Sequence, residues 1–168
     1  GANDGHAARS STTMFDQARV TPLFAPHDPI TEMIVAQIAQ ARDSIDIMAF
    51  AFTSDRVANA LIAARERGVT VRVVMERRNT RGTGSEFDTL RDSGVDIHAD
   101  GNCFIMHHKV IVLDGRRTIT GSFNFTDAAQ EQNDENVLLI DDRSVAALYG
   151  AEFERVYDQA LNPTACEE

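Results

Sequence analysis

The spacing of apolar positions along this chain changes period several times, and each change marks an element. Residues 19–25 carry β-type side chains and predict a strand, which Pro22 interrupts and so assigns to a sheet edge. Asp28 and Pro29 then supply an N-cap and a first helical residue, and Ile30, Met33, Ile34, Gln37, Ile38 and Ala41 follow at helical spacing. Over residues 44–52 the period drops to two, with Ile45, Ile47, Ala49 and Ala51 alternating against Asp46, Met48, Phe50 and Phe52. Apolar side chains on both faces near its end make this a covered, central strand.

Ser54-Asp55 caps a second helix carrying Val57, Ala60, Leu61 and Ala64, which stops at Gly68. Residues 69–75 read as another buried strand, 76–85 as a loop, and Phe87 and Leu90 as a short helix ending near Gly94. Residues 95–98 are a strand, and Gly101-Asn102 a turn. The β-branched and aliphatic run at 110–113, the hairpin signal Asp114-Gly115 and Thr118-Ile119-Thr120 then predict two paired strands. One or two helical turns at 126–132, a strand at 136–140 and a helix over 144–161, with Val145, Leu148, Phe153 and Val156 inward, complete the chain. Strand and helix alternate up to residue 95 and strands cluster afterwards. That order predicts an α/β fold, a mixed β-sheet flanked by helices on both faces.

The 168 residues make room for one domain with a substantial core, expected over 18–161 between a flexible arm at 1–17 and a tail at 162–168. No apolar run approaches the length of a membrane span. The small, polar start without an initiator Met is expected of the mature form of an exported protein, periplasmic or secreted. Two cysteines, Cys103 and Cys166, allow one disulfide and are equally compatible with two free thiols.

The chemistry concentrates on the hairpin. With Asp114-Gly115 as a two-residue turn, Leu113 lies opposite Arg116, His107 opposite Ser122 and Lys109 opposite Thr120, with Asn124 just beyond. An imidazole, a cation, a hydroxyl and an amide would then share one patch, suited to an anion. Fifteen of the sixteen basic residues are Arg, and Lys109 is the lone lysine. A compact ammonium with three rotatable donors suits a tight pocket around one phosphate better than a planar guanidinium does. His108 points to the other face. Asp114 lies about 23 Å from His107 at roughly 3.3 Å per residue, too far to touch a reacting phosphorus, and is expected to be structural.

His107-x-Lys109-x4-Asp114-x6-Gly121-Ser122-x-Asn124 resembles the HKD signature of the phospholipase D superfamily. The continuation Phe125-Thr126-Asp127-Ala128-Ala129, then Asn133-Asp134-Glu135-Asn136, is most similar to the bacterial single-motif endonuclease branch. With the stretch at 44–54, the likeness spans roughly residues 18–160. It implies an αβα sandwich, His107 as nucleophile, Lys109 and Asn124 as phosphate ligands and Glu135 as the carboxylate that orients the histidine. Ser122 and Asp114 are carried along as supporting members of the motif.

A phosphodiester needs its nucleophile and its acid on opposite sides of phosphorus. One chain offers His107 alone on the pocket face, so the economical arrangement is a homodimer that brings two such rings together. No metal or other cofactor is required on this reading, and no metal-ligand spacing occurs in the sequence. The net charge of −10 works against broad capture of nucleic acid. From Arg65 to Arg91, however, seven arginines face four acids, and Arg77, Arg78 and Arg81 fall in a loop expected to border the pocket and bind substrate. Phe104, Ile105 and Met106 would suit acyl chains as a lip, although strand residues of this kind more often belong to a core. The leading expectation is a weakly sequence-specific endonuclease for DNA and RNA. A phospholipase D-type enzyme acting on phospholipid headgroups, by hydrolysis or transfer, is the alternative, and a catalytically silent dimeric binding module is a third reading.

Overall fold

In the computed structural model, residues 13–165 are described. Eight strands form one sheet: β1 (Thr13–Phe15), β2 (Ala18–Ala25), β3 (Ser44–Ala49), β4 (Thr70–Met75), β5 (Asp96–Ala99), β6 (Lys109–Leu113), β7 (Arg117–Gly121) and β8 (Glu135–Asp141). Their spatial order is β1-β2-β8-β7-β6-β3-β4-β5. The β3–β4 and β4–β5 pairs are parallel and all others antiparallel, so the sheet is mixed, as the element order predicts.

The helices are α1 (Ile30–Gln40), α2 (Asp55–Glu66), α3 (Phe87–Asp92), α4 (Asp127–Glu131) and α5 (Arg143–Leu161), with a 3-10 turn at Arg77–Asn79. Because successive strand side chains alternate, the two faces carry separate cores. Ile45, Ile47, Ile111 and Leu113 join Ile34, Ile38, Leu61 and Leu90 on one face, whereas Met48, Val110 and Val112 meet Ala146, Phe153 and Val156 of α5 on the other. Helices therefore cover both faces.

Several expectations are corrected by packing. Residues 13–15, assigned to the arm, form β1 against β2; residues 1–12 lie outside the description. Strand β2 is consequently not the edge, but β1 is only three residues long and leaves Pro22 unpaired on that side, where its missing N–H costs no ladder bond. The Asp28 carboxylate accepts the Phe24 N–H at 2.8 Å instead of capping α1, whose N-cap is Pro29. Leu148, expected inward, is 74% exposed, and Ala146 takes the buried place on α5.

Candidate active site

The hairpin that carries the motif is one residue out of the expected register. Leu113 pairs with Arg117 and Val110 with Thr120. Asp114 and Gly115 both adopt positive φ and Arg116 N–H returns to Leu113 O, as in a tight turn, but Arg116 bulges out and Arg117 takes the ladder place. A slip of one residue exchanges faces, so Thr120 lies opposite Val110 and does not share a face with Lys109. His107 precedes β6, and Ser122 and Asn124 follow β7, so the site is built at strand ends and not along the ladder.

What holds those ends together is the segment leaving β3. Phe50 N–H donates to His108 O at 2.9 Å, fixing the strand that carries His107 on one side. Thr53 and Ser54 N–H both donate to Phe125 O, and Phe125 N–H donates to Ala51 O, fixing the strand that carries Asn124 on the other. Glu76, at the end of β4, is buried; its carboxylate accepts Met106 N–H at 2.7 Å and Arg78 N–H at 3.1 Å, so it sets the backbone immediately before His107. Asn79 Nδ2 donates to Phe50 O at 2.7 Å.

At the centre, Lys109 is 8% exposed. Its Nζ donates to His107 O at 2.9 Å and lies 3.2 Å from Nδ1 and 3.3 Å from Nε2 of the same ring. Near-equal distances to nitrogens on opposite flanks place the ammonium against the imidazole, not on either lone pair, so it fixes no tautomer. The Phe50 ring lies 4.3 Å from the His107 ring and 4.8 Å from Nζ, centroid distances that add a cation–π contact. Burial pushes the Lys109 ammonium below the ordinary lysine value, opposed by the Glu135 charge. Glu135 itself accepts from Ser122 Oγ and, at 3.0 Å, from Asn133 Nδ2. Its resolved hydrogen bonds go to those two residues and not to His107. Asn124 Oδ1 is buried with no hydrogen-bond partner among the described residues.

Gly121 shows why the motif cannot carry a side chain there. A Cβ at that position would lie 2.1 Å from Asn136 O and 2.9 Å from Val137 Cα. This close approach lets Ser122 N–H reach Asn136 O and Ser122 Oγ reach Glu135. Asp114 sits at the opposite end, where its carboxylate accepts the N–H groups of Arg42, Asp43 and Ser44 at 2.8–3.2 Å. Burial opposes its ionisation, but those backbone donors and the Arg116 charge hold its carboxyl below the ordinary aspartate value.

His108 turns to the other face and pairs with Glu152 of α5 at 3.2 Å, as alternation predicts. His98 pairs with Asp96; His6 lies outside the described residues. Arg77, Arg78 and Arg81 line a groove of about 640 Å³ with Phe87, Asp88 and Arg91, and none of His107, Lys109, Asn124 and Glu135 lines it. The groove is tied to the site through its frame: Arg77 Nη2 donates to Asn102 O at 3.2 Å, on the loop leading to His107. Phe104 and Ile105 on that loop are 83% and 50% exposed, so they are not core, whereas Met106 is buried. Cys103 is disulfide-bonded; Cys166 lies outside the described residues. No cluster able to hold a metal occurs among the described residues.

An imidazole against a buried ammonium, beside a seryl–glutamate pair, suits the binding of a phosphate group. The chain belongs to the phospholipase D-like family of phosphodiester hydrolases, since residues 34–157 match the family described as "Cardiolipin synthase, PLD-like domain". It is 38% identical to a phospholipase D of Rickettsia prowazekii over 83% of this chain and 68% of that protein. With a mitochondrial cardiolipin hydrolase of Xenopus laevis it shares 36% identity over 80% of this chain and 64% of that one. The chain thus spans about two thirds of these relatives. Among solved structures it is similar to the phospholipase D family member Nuc from Salmonella typhimurium, with a TM-score of 0.80 and 32% identity over 84% of this chain and 95% of that one.

Sequence reasoning missed Glu76, Phe50, Asn79 and Asn133. Only Glu76 carried a local signal, an acid directly after a buried apolar strand.

Proposed function

We propose that the chain is a metal-independent phosphodiesterase, a weakly sequence-specific endonuclease for DNA and RNA, acting through a phosphohistidine at a site shared by two copies. The observation that carries the shared site is the state of the histidines. His107 is exposed beside the buried ammonium, while His108 is tied to Glu152 and His98 to Asp96. In-line displacement needs two groups on opposite sides of phosphorus, and among the described residues one chain offers one ring in that setting. A second copy related by a two-fold axis supplies the other.

An unprotonated nitrogen of one His107 attacks phosphorus. The N–P bond forms as the P–O bond to the leaving alcohol breaks, and the second ring gives its proton to that oxygen. The second ring, now neutral, takes a proton from water, whose oxygen attacks phosphorus and displaces the first imidazole. Lys109 and the Nδ2 donor of Asn124 oppose charge on the equatorial oxygens. Glu135, held by Ser122, keeps Lys109 charged and, in the assembled site, orients the imidazole. Every role is filled by a side chain, and none is left for a metal. Arg77, Arg78 and Arg81, with Arg91 and Phe87, would track the strand beyond the scissile bond by charge and stacking. The bonded Cys103 suits an oxidising, periplasmic or secreted setting.

The test is cleavage of single-stranded DNA, duplex DNA, RNA and phospholipid vesicles in excess EDTA. Nicking of nucleic acid that survives chelation and is abolished in His107→Ala is expected; full turnover in that variant would end the reading. Undiminished specific activity in a protein shown to be monomeric would end the shared site.

A phospholipid substrate is the second reading, and Phe104 and Ile105 favour it. Holding an aromatic ring 83% exposed three residues from the nucleophile suits an acyl-chain boundary. Under that reading Phe104→Ser lowers vesicle turnover severalfold and leaves nucleic acid unaffected.

A further inference from the structure

The opposite pole of the sheet carries a furrow that the reaction does not use. It has a volume of about 740 Å³ and is walled by the end of α1, the loop to β3 and the β6–β7 turn. Arg42, Arg67, Arg116 and Arg117 line it, and a smaller hollow sharing Gln37, Gln40 and Arg117 adds Arg19. Five arginines against two acids, Asp114 and Asp141, leave a local excess of three positive charges on a chain of net −10.

Those acids are already engaged. Asp114 accepts three backbone N–H groups, and Asp141 accepts from Arg116 and Arg117. The cations are less well matched. Arg67 reaches only the carbonyls of Ile38 and Ala39, and the guanidinium groups of Arg19 and Arg42 have no partner among the described residues. Arg117 Nε is buried with no acceptor among the described residues, although a buried donor left unpaired is costly. We propose that this furrow is a second binding site, taking a compact ligand with two or more linked phosphate groups.

Size and surroundings choose the ligand class. The guanidinium groups come from four separate parts of the chain, β2, the loop after α1, the end of α2 and the β6–β7 turn, which suits several oxyanions better than one. A long polyanion would leave the furrow past the carboxylates of Asp43 and Asp142 on a chain of net −10, whereas charges beyond roughly 8 Å are largely screened from a small ligand. None of the exposed large apolar side chains, Met14, Phe24, Phe104, Ile105, Leu138, Leu148 and Leu161, lines it, so nothing there would enter a bilayer.

The experiment measures thermal unfolding of the full chain with pyrophosphate, ADP, orthophosphate and sodium chloride at matched ionic strength, in wild type and two variants. Pyrophosphate at a hundredfold excess over its Kd is expected to raise Tm by roughly 5–10 °C, with orthophosphate much weaker. A response to ADP equal to that of pyrophosphate marks a nucleotide; a smaller one marks the inorganic ion, and either sustains the site. The shift persists in Lys109→Met, which removes phosphate binding at the active site. It disappears in Arg42→Ser/Arg116→Ser, which stays folded and active because Arg42 has no side-chain partner and Arg117 keeps Asp141 paired. Loss of the shift in Lys109→Met with retention in the arginine variant overturns the proposal, as does a response no larger than that to sodium chloride. Backbone amide shifts at residues 39–42 and 113–117 on adding pyrophosphate locate the site independently.

Discussion

The two ends of the β6–β7 hairpin carry the same signature and treat polar groups in opposite ways. At the turn, Asp114 is saturated by three backbone N–H groups, and its carboxylate is stabilised in the charged form. At the open end, Lys109 is buried among a carbonyl, an imidazole and an aromatic face, and Asn124 Oδ1 has no partner among the described residues. Satisfied polar groups hold a fold together, whereas buried unsatisfied ones are destabilising and persist where something else pairs with them. Under the proposed function, the histidine and lysine of the signature belong to the chemistry and its aspartate to the scaffold, although they are read as one motif.

The largest expected effect comes from removing the ammonium. Lys109→Met should lower kcat/KM by about 10²–10³-fold, the scale of a lost charge-stabilising donor, and should not lower Tm. Stability should rise, because a buried charge has been replaced by an apolar side chain of similar volume. Lys109→Arg should restore little, since a planar fork does not fit against the His107 ring. The charged form is the active one and burial lowers its pKa, so in wild type the alkaline limb of kcat/KM should fall below the ordinary lysine range. A stability loss as large as the activity loss would place Lys109 with Asp114 as scaffold.

Gly121→Ala should cost about 2–3 kcal/mol, because the added methyl meets Asn136 O and the backbone of Val137 must shift to admit it. It should also weaken activity by displacing Ser122 from Glu135. Chemical denaturation with parallel rate measurements checks both, and an unchanged midpoint would mean the strand gives way freely.

At the turn, Asp114→Ala should cost about 1–2 kcal/mol, as for a lost cap, and leave kcat within a factor of two. Because the folded carboxyl has the lowered pKa, its contribution is fully present above the ordinary aspartate value and is lost as pH falls through the folded value. The stability gap between wild type and variant should thus be constant near neutrality and close in acid. A large loss of kcat at unchanged Tm would erase the distinction between the two ends.

How much of this was legible depended on distance along the chain. His107, Lys109, Ser122 and Asn124 fall within one short stretch, so their chemistry could be read directly. The register could not, because an Asp-Gly turn signals a two-residue loop and nothing marks Arg116 as the bulge that shifts every pairing by one. Phe104 and Ile105 read as strand by composition, yet Asn102 accepts Phe104 N–H through its side chain and turns the loop outward. Phe50 reaches His107, and Asn79 reaches Phe50, only because β3 lies between β6 and β4, a neighbourhood set by the whole sheet.

Glu76 is the sharpest case of that long-range frame and the smallest predicted effect. Its carboxylate bridges Met106 N–H and Arg78 N–H, so it fixes the peptide one residue before His107. Glu76→Gln keeps one carbonyl oxygen for one of the two donors, and the lost partner should let the His107 backbone drift. Misplacing a reacting group by a fraction of an ångström lowers turnover more than binding, so kcat should fall about tenfold with KM nearly unchanged. Glu76→Ala should do worse and also lose about 1–3 kcal/mol of stability, because the buried Met106 N–H and the half-buried Arg78 N–H are then orphaned. If Glu76→Gln instead raises KM at constant kcat, the residue acts on substrate through the neighbouring arginines. The strand carrying His107 would then owe its place to Phe50 N–H on His108 O and not to Glu76.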